Sequence, residues 1–131
     1  MTAEVQAFFE AYRDAFRALD GAAVARCYAE PSGIDQDGVY THWVNRAAVQ
    51  ANMDALCQLY RERGLSGVDV ELRQVLPLGG HALFADLHWR IDWASGEAPW
   101  HFGTAYHLMR TPEGWKVLLC TAYAEAALFQ A

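Results

Sequence analysis

Between Val68 and Tyr123 the chain alternates apolar and polar side chains with a period of two, and this constrains the fold more than any other feature. Leu83, Ala85, Leu87, Trp89, Ile91 and Trp93 share one parity, while Phe84, Asp86, His88, Arg90 and Asp92 take the other. Successive side chains of a strand point to opposite faces, so the pattern predicts a sheet with one buried face and one wetter face. Gly79-Gly80, Ser95-Gly96 and Thr111-Pro112-Glu113-Gly114 divide the segment into four strands.

Tight turns at these points set the register. Leu78 opposite His81 places Leu72 across from Leu87 and Arg73 across from Asp86. Ala94 opposite Glu97 places Trp89 across from Phe102 and Leu87 across from Thr104. Arg110 opposite Trp115 places Tyr106 across from Leu119 and Thr104 across from Thr121. All three registers give the same faces. One collects Leu72, Leu76, Leu87, Trp89, Trp100, Phe102, Tyr106, Leu108, Val117, Leu119 and Tyr123. The other collects Glu71, Arg73, Asp86, His88, Arg90, His101 and His107, with small Gly103, Ala105, Cys120 and Ala122 among them. A one-residue slip would exchange the faces of a strand.

The residues before this segment read as helices that need a sheet to cover. Val5, Phe8, Phe9, Tyr12, Phe16 and Leu19 recur at helical spacing, with Glu10, Arg13, Asp14 and Arg17 opposite. Asp20 suits the cap of a short second helix through Tyr28, which Pro31 stops. Asp37-Gly38, between Ile34 and Val39-Tyr40, predicts a short irregular hairpin. Asn45 suits the cap of a third helix whose buried stripe is Val49, Met53, Leu56 and Tyr60 and whose stop is Gly64.

A length of 131 residues predicts one domain, 1–131. The formal net charge is -6 and there is no run of Lys or Arg, which argues against nucleic acid and anionic membrane surfaces as partners. Neither a membrane span nor a signal peptide is expected. Cys27, Cys57 and Cys120 are odd in number and far apart, as expected of reduced thiols in a cytoplasmic protein.

The order helix, short helix, hairpin, long helix and meander resembles the nuclear transport factor 2-like superfamily, over roughly 2–124. The matching pieces are Val5-Gln6-Ala7-Phe8-Phe9-Glu10-Ala11-Tyr12, Cys27-Tyr28-Ala29-Glu30-Pro31, Asp37-Gly38, Ala105-Tyr106-His107-Leu108-Met109-Arg110 and Gly114-Trp115-Lys116-Val117. The resemblance implies an α+β, cystatin-like cone whose curved antiparallel sheet wraps the N-terminal helices, with a pocket inside and frequent homodimers. It does not imply one function, because the superfamily includes SnoaL-like cyclases, ketosteroid isomerases, dehydratases and transport adaptors.

What the resemblance implies for chemistry falls on two residues. Asp35 aligns with the general base of the isomerase-like members, and a carboxylate in an apolar mouth has the raised pKa that proton transfer near neutrality needs. His42 is placed as a base or acid in the manner of the dehydratase-like members. The competing readings are an exposed hairpin residue for Asp35 and a half-buried structural one for His42. The acid that completes the isomerase oxyanion hole has no counterpart on the apolar face between Val68 and Tyr123. Tyr12, Phe16, Tyr28, Trp89, Trp93, Trp100, Phe102, Thr104, Tyr106, Thr121 and Tyr123 are the expected ligand-binding residues. No metal or cofactor is expected, since His88, His101 and His107 lack further ligands at metal spacing. The function that follows is binding of a small apolar or aromatic molecule, with SnoaL-like or isomerase-like acid/base activity attached to Asp35 or His42. The alternative is a non-enzymatic dimeric accessory domain with a filled core. In either case the outer sheet face is expected to carry the homodimer.

Overall fold

The computed structural model describes residues 2–123. Met1 and residues 124–131, which the single-domain expectation includes, lie outside the described residues. Three helices, α1 (Thr2–Arg17), α2 (Gly21–Ala25) and α3 (Arg46–Glu62), accompany six strands. These are β1 (Tyr28–Gln36), β2 (Val39–Trp43), β3 (Leu65–Leu78), β4 (Ala82–Trp93), β5 (Trp100–Thr111) and β6 (Gly114–Tyr123). They form one sheet in the order β2-β1-β6-β5-β4-β3. Every pairing is antiparallel except β1 with β6, which is parallel.

Local chemistry accounts for the helix ends. The Asp20 side chain accepts a hydrogen bond from the Ala23 N–H, and the Asn45 side chain accepts one from the Ala48 N–H. The second helix ends at Ala25, earlier than expected, because Tyr28 already belongs to β1. Pro31 sits where the β1–β6 ladder is irregular, so its missing N–H costs no regular pairing. At the β1–β2 turn Asp37 and Gly38 both have positive φ, as the expected tight hairpin requires.

Val5, Phe9, Tyr12 and Phe16 of α1 are buried, as are Val49, Met53, Cys57 and Tyr60 of α3. Helix α3 rests on α2 and reaches β1 and β2 at one end of the sheet and β3 at the other. A sheet whose two ends both touch one helix must curve, and the curvature makes the cone. Among the described residues no helix is long and apolar enough to cross a membrane.

The central pairing follows the expected register: Trp89 opposes Phe102 and Leu87 opposes Thr104. Trp89, Phe102 and Tyr106 are buried, with His88 and His101 on the opposite face. Register shifts alter the flanks, and two of them decide which side chains face inward. In β3 the turn pairs Leu78 with Ala82, and a shift at Arg73 restores Leu72 opposite Leu87. Arg73 therefore does not oppose Asp86 but lies 3.5 Å from Glu71, and Leu76 is exposed instead of buried. In β6 the register shifts at Leu118, so Tyr106 opposes Cys120 and Thr104 opposes Ala122. A bulge inserts one residue and thereby exchanges the faces of everything beyond it. Cys120 and Ala122 consequently point inward, while Leu119, Thr121 and Tyr123 point outward.

Candidate functional site

Helices α1 and α3 and the inner face of the sheet enclose a cavity of about 450 Å³. Each element contributes by its own periodicity. From α1 come Tyr12 and Phe16; from α3 come Asn52, Leu56, Leu59 and Arg63, spaced i, i+4, i+7 and i+11 along one helical face. Ile34 and Gln36 of β1, Trp89 and Ile91 of β4, alternate residues Trp100 to Tyr106 of β5, and Cys120 and Ala122 of β6 complete the wall. Leu59 is 54% exposed and Arg63 is exposed, so these two stand at the mouth.

The polar groups in the wall form a directed run. Trp89 Nε1–H, which can only donate, gives a 2.7 Å hydrogen bond to Thr104 Oγ1. Thr104 in turn bonds Tyr106, and Tyr106 bonds Tyr12. The Tyr12 and Tyr28 hydroxyls are 2.7 Å apart, and Tyr28 reaches Cys120. With the donor-only indole at one end, each hydroxyl accepts from one neighbour and donates to the next. Burial pushes the pKa of Tyr12, Tyr28 and Tyr106 well above the usual tyrosine range. All three remain neutral phenols across the physiological range; with each proton given to the next member of the run, they offer a ligand a lone pair that accepts a hydrogen bond, and they do not abstract a proton as phenolates.

Eight of the eleven expected ligand-binding residues line this cavity: Tyr12, Phe16, Tyr28, Trp89, Trp100, Phe102, Thr104 and Tyr106. Three do not. Thr121 and Tyr123 are turned outward by the β6 bulge, where the Tyr123 hydroxyl donates to the Asp86 carboxylate across Gly103. Burial and the Asp86 carboxylate push Tyr123 up to about 12. Trp93 is buried against Tyr60 and under the Arg63 guanidinium, away from the cavity surface.

Neither expected catalytic residue reaches the cavity. Ile34 and Gln36 take the inward parity of β1, which turns Asp35 outward. Its carboxylate accepts a 3.0 Å hydrogen bond from the Gly38 N–H and serves the hairpin turn. Trp43 takes the inward position at the end of β2 and leaves His42 exposed on the outer side, with Nδ1 3.2 Å from the Tyr40 hydroxyl. Among the described residues no cavity-lining side chain is Asp, Glu or His.

The residues missed from sequence are the α3 stripe, Ile34 and Gln36, Val68 and Ile91, and the pair Cys120 and Ala122. The stripe was visible as a helical spacing with Leu59 standing outside the buried set. On the outer face, His88 Nε2 and His101 Nδ1 are 3.0 Å apart. Among the described residues no group of three or more His, Cys, Asp or Glu side chains is placed to hold a metal ion.

Solved structures share this architecture. An NTF-2 like protein of unknown function from Shewanella oneidensis MR-1 aligns with TM-score 0.76 and 11% identity, covering 92% of this chain and 97% of that one. A cystatin-like domain of unknown function from Nostoc punctiforme PCC 73102 gives 0.76 and 17%, covering 99% and 85%. A ketosteroid isomerase-like protein from Erwinia carotovora atroseptica SCRI1043 gives 0.69 and 17%, covering 92% of each chain. At these identities the likeness establishes the fold. No curated protein matches the chain. The family model described as NTF2-like protein (DUF6841) matches residues 3–125, and the chain belongs to that family.

Proposed function

We propose that the protein binds a small, largely apolar, ring-bearing molecule inside the cone. One observation carries this reading: the cavity of about 450 Å³ is walled by aromatic and aliphatic side chains with a few convergent hydroxyls. That volume falls within the range of small-molecule sites, which begins at about 300 Å³. It favours a binding site over an accessory domain with a filled core. The acid/base activity attached to Asp35 and His42 gains no support from their positions, and the phenols that do line the wall, their protons given to one another, are suited to holding a hydrogen-bond donor in place.

The free state of Cys27, Cys57 and Cys120 supports a reducing, cytoplasmic setting. The outer sheet face supports pairing of two copies, though without Cys120 and Ala122, which were expected on it. Cys120 and Ala122 face inward, Gly103 lies beneath the Tyr123 ring, and the exposed apolar groups there include Leu76, Leu78, Phe84 and Tyr123.

A neutral fluorescent probe, N-phenyl-1-naphthylamine, tests the binding reading. The wild type is expected to bind it with a blue-shifted, enhanced emission. Ala122→Phe, which fills the inner wall, should abolish the signal while thermal unfolding remains cooperative. Absence of binding to the wild type, or equal binding to Ala122→Phe, refutes the proposal.

A further inference from the structure

The composition of the cavity wall differs from that of the chain in one respect. The protein carries 16 Asp and Glu residues and a formal net charge of -6. Yet among the described residues no carboxylate lines the cavity, and its single charged lining residue is Arg63. Arg63 is the C-cap residue of α3, directly following the stripe that forms the lip.

The guanidinium is held in a way that leaves it available. Its carbon lies over the Trp93 ring, 4.6 Å from the ring centre, a cation–π contact that places the group beside the indole. A guanidinium carries five N–H donors in a planar fork, more than a cation–π contact engages. Among the described residues no carboxylate oxygen lies within 4.0 Å of Arg63, as is also true of Arg26, Arg46 and Arg61, but of these four only Arg63 lines the cavity. A planar donor fork, fixed by an aromatic ring at an apolar mouth, is the arrangement that receives a carboxylate or sulfonate. The negative charge of the rest of the molecule acts from farther away and is screened beyond about 8 Å at physiological salt.

We infer that the cavity selects an amphipathic anion, a ring-bearing apolar body that enters the cone with its carboxylate or similar acidic group left at the mouth on Arg63. The inference rests on the reading of the cavity as a ligand site and adds the charge class of the ligand. Arg63 is then a specificity-determining residue, and the apolar wall supplies affinity that does not depend on it.

Two dyes of the same ring skeleton separate the two readings. N-phenyl-1-naphthylamine is neutral, and 8-anilinonaphthalene-1-sulfonate adds one sulfonate. The wild type should bind the sulfonate about three- to fivefold more tightly than the neutral dye, the gain of a partly exposed ion pair. Arg63→Gln should remove this preference, so that the two dyes bind it with equal affinity, and Ala122→Phe should abolish binding of both. Equal affinities in the wild type, or a preference that survives Arg63→Gln, overturns the inference while the cavity reading stands. Failure of both dyes to bind the wild type overturns both.

Discussion

Tyr12→Phe removes one hydroxyl from the middle of the run Trp89–Thr104–Tyr106–Tyr12–Tyr28 and leaves the ring in place. In the directed arrangement Tyr106 then loses its acceptor, so one buried donor is unpaired. An unsatisfied buried polar group costs about 1–3 kcal/mol. Because the run lies on the wall of an open cavity, water can replace part of the loss, which selects the lower end, about 1 kcal/mol. For a chain of this length that lowers Tm by about 4 °C. Tyr28→Phe should cost a similar amount, since it leaves the Tyr12 O–H without an acceptor. The double variant is the sharper measurement. Once the Tyr12 hydroxyl is gone, deleting that of Tyr28 orphans no further donor in the run, so the pair should cost about as much as Tyr12→Phe alone. Urea unfolding of the four proteins, with m-values checked for constancy, reads these differences. Strictly additive costs, or a Tyr12→Phe variant as stable as the wild type, would refute the directed run.

Burial, then Arg73 and His101, lower the His88 pKa below its ordinary value of 6.5, so the unfolded chain binds more protons than the folded one between the two pKa values. The contribution of His88 is present above that ordinary value and is lost as pH falls through the folded pKa; His88→Gln should flatten the decline in denaturation midpoint between pH ~7 and ~5, and an unchanged slope would exclude His88 as its source. Asp35→Ala removes the acceptor of the Gly38 N–H and should cost about 0.5–1 kcal/mol without altering binding of the neutral dye; lost binding would return Asp35 to the site. Light scattering at tens of micromolar should give twice the monomer mass of 14.6 kDa, and Ala105→Arg should return the monomer. A monomeric wild type, or a dimer unaffected by Ala105→Arg, would remove the outer face as the pairing surface.

The parts of the fold that could be read from the sequence are those where one local rule operates without competition. Period-two alternation in β4 and β5, with a glycine turn on either side, left little freedom, and Trp89 opposes Phe102 as that rule requires. Helix caps at Asp20 and Asn45 were legible for the same reason: a short acceptor side chain stands next to N–H groups that need one. The site was less legible because family position outweighed strand parity at Asp35. Ile34 is apolar and adjacent, and a strand cannot turn both inward.

The β6 bulge shows most directly how a small local event decides what the cone contains. Without the extra residue at Leu118, Thr121 and Tyr123 would continue the inward parity of Val117, and two larger side chains would project toward Tyr12 and Tyr28. With it, Cys120 and Ala122 occupy those positions and the space opposite the tyrosines stays open. The alternation expected for β6 puts Cys120 and Ala122 on the outer sheet face; here they face inward and help to leave the cavity its room. The sequence does carry the signal, as a break in alternation at Leu118-Leu119. Two adjacent leucines in a strand that is otherwise strictly alternating require either an exposed leucine or an extra residue, and the chain uses the second. The cavity therefore depends on a register shift that no count of hydrophobic residues could reveal, and on side chains chosen there for how little they fill.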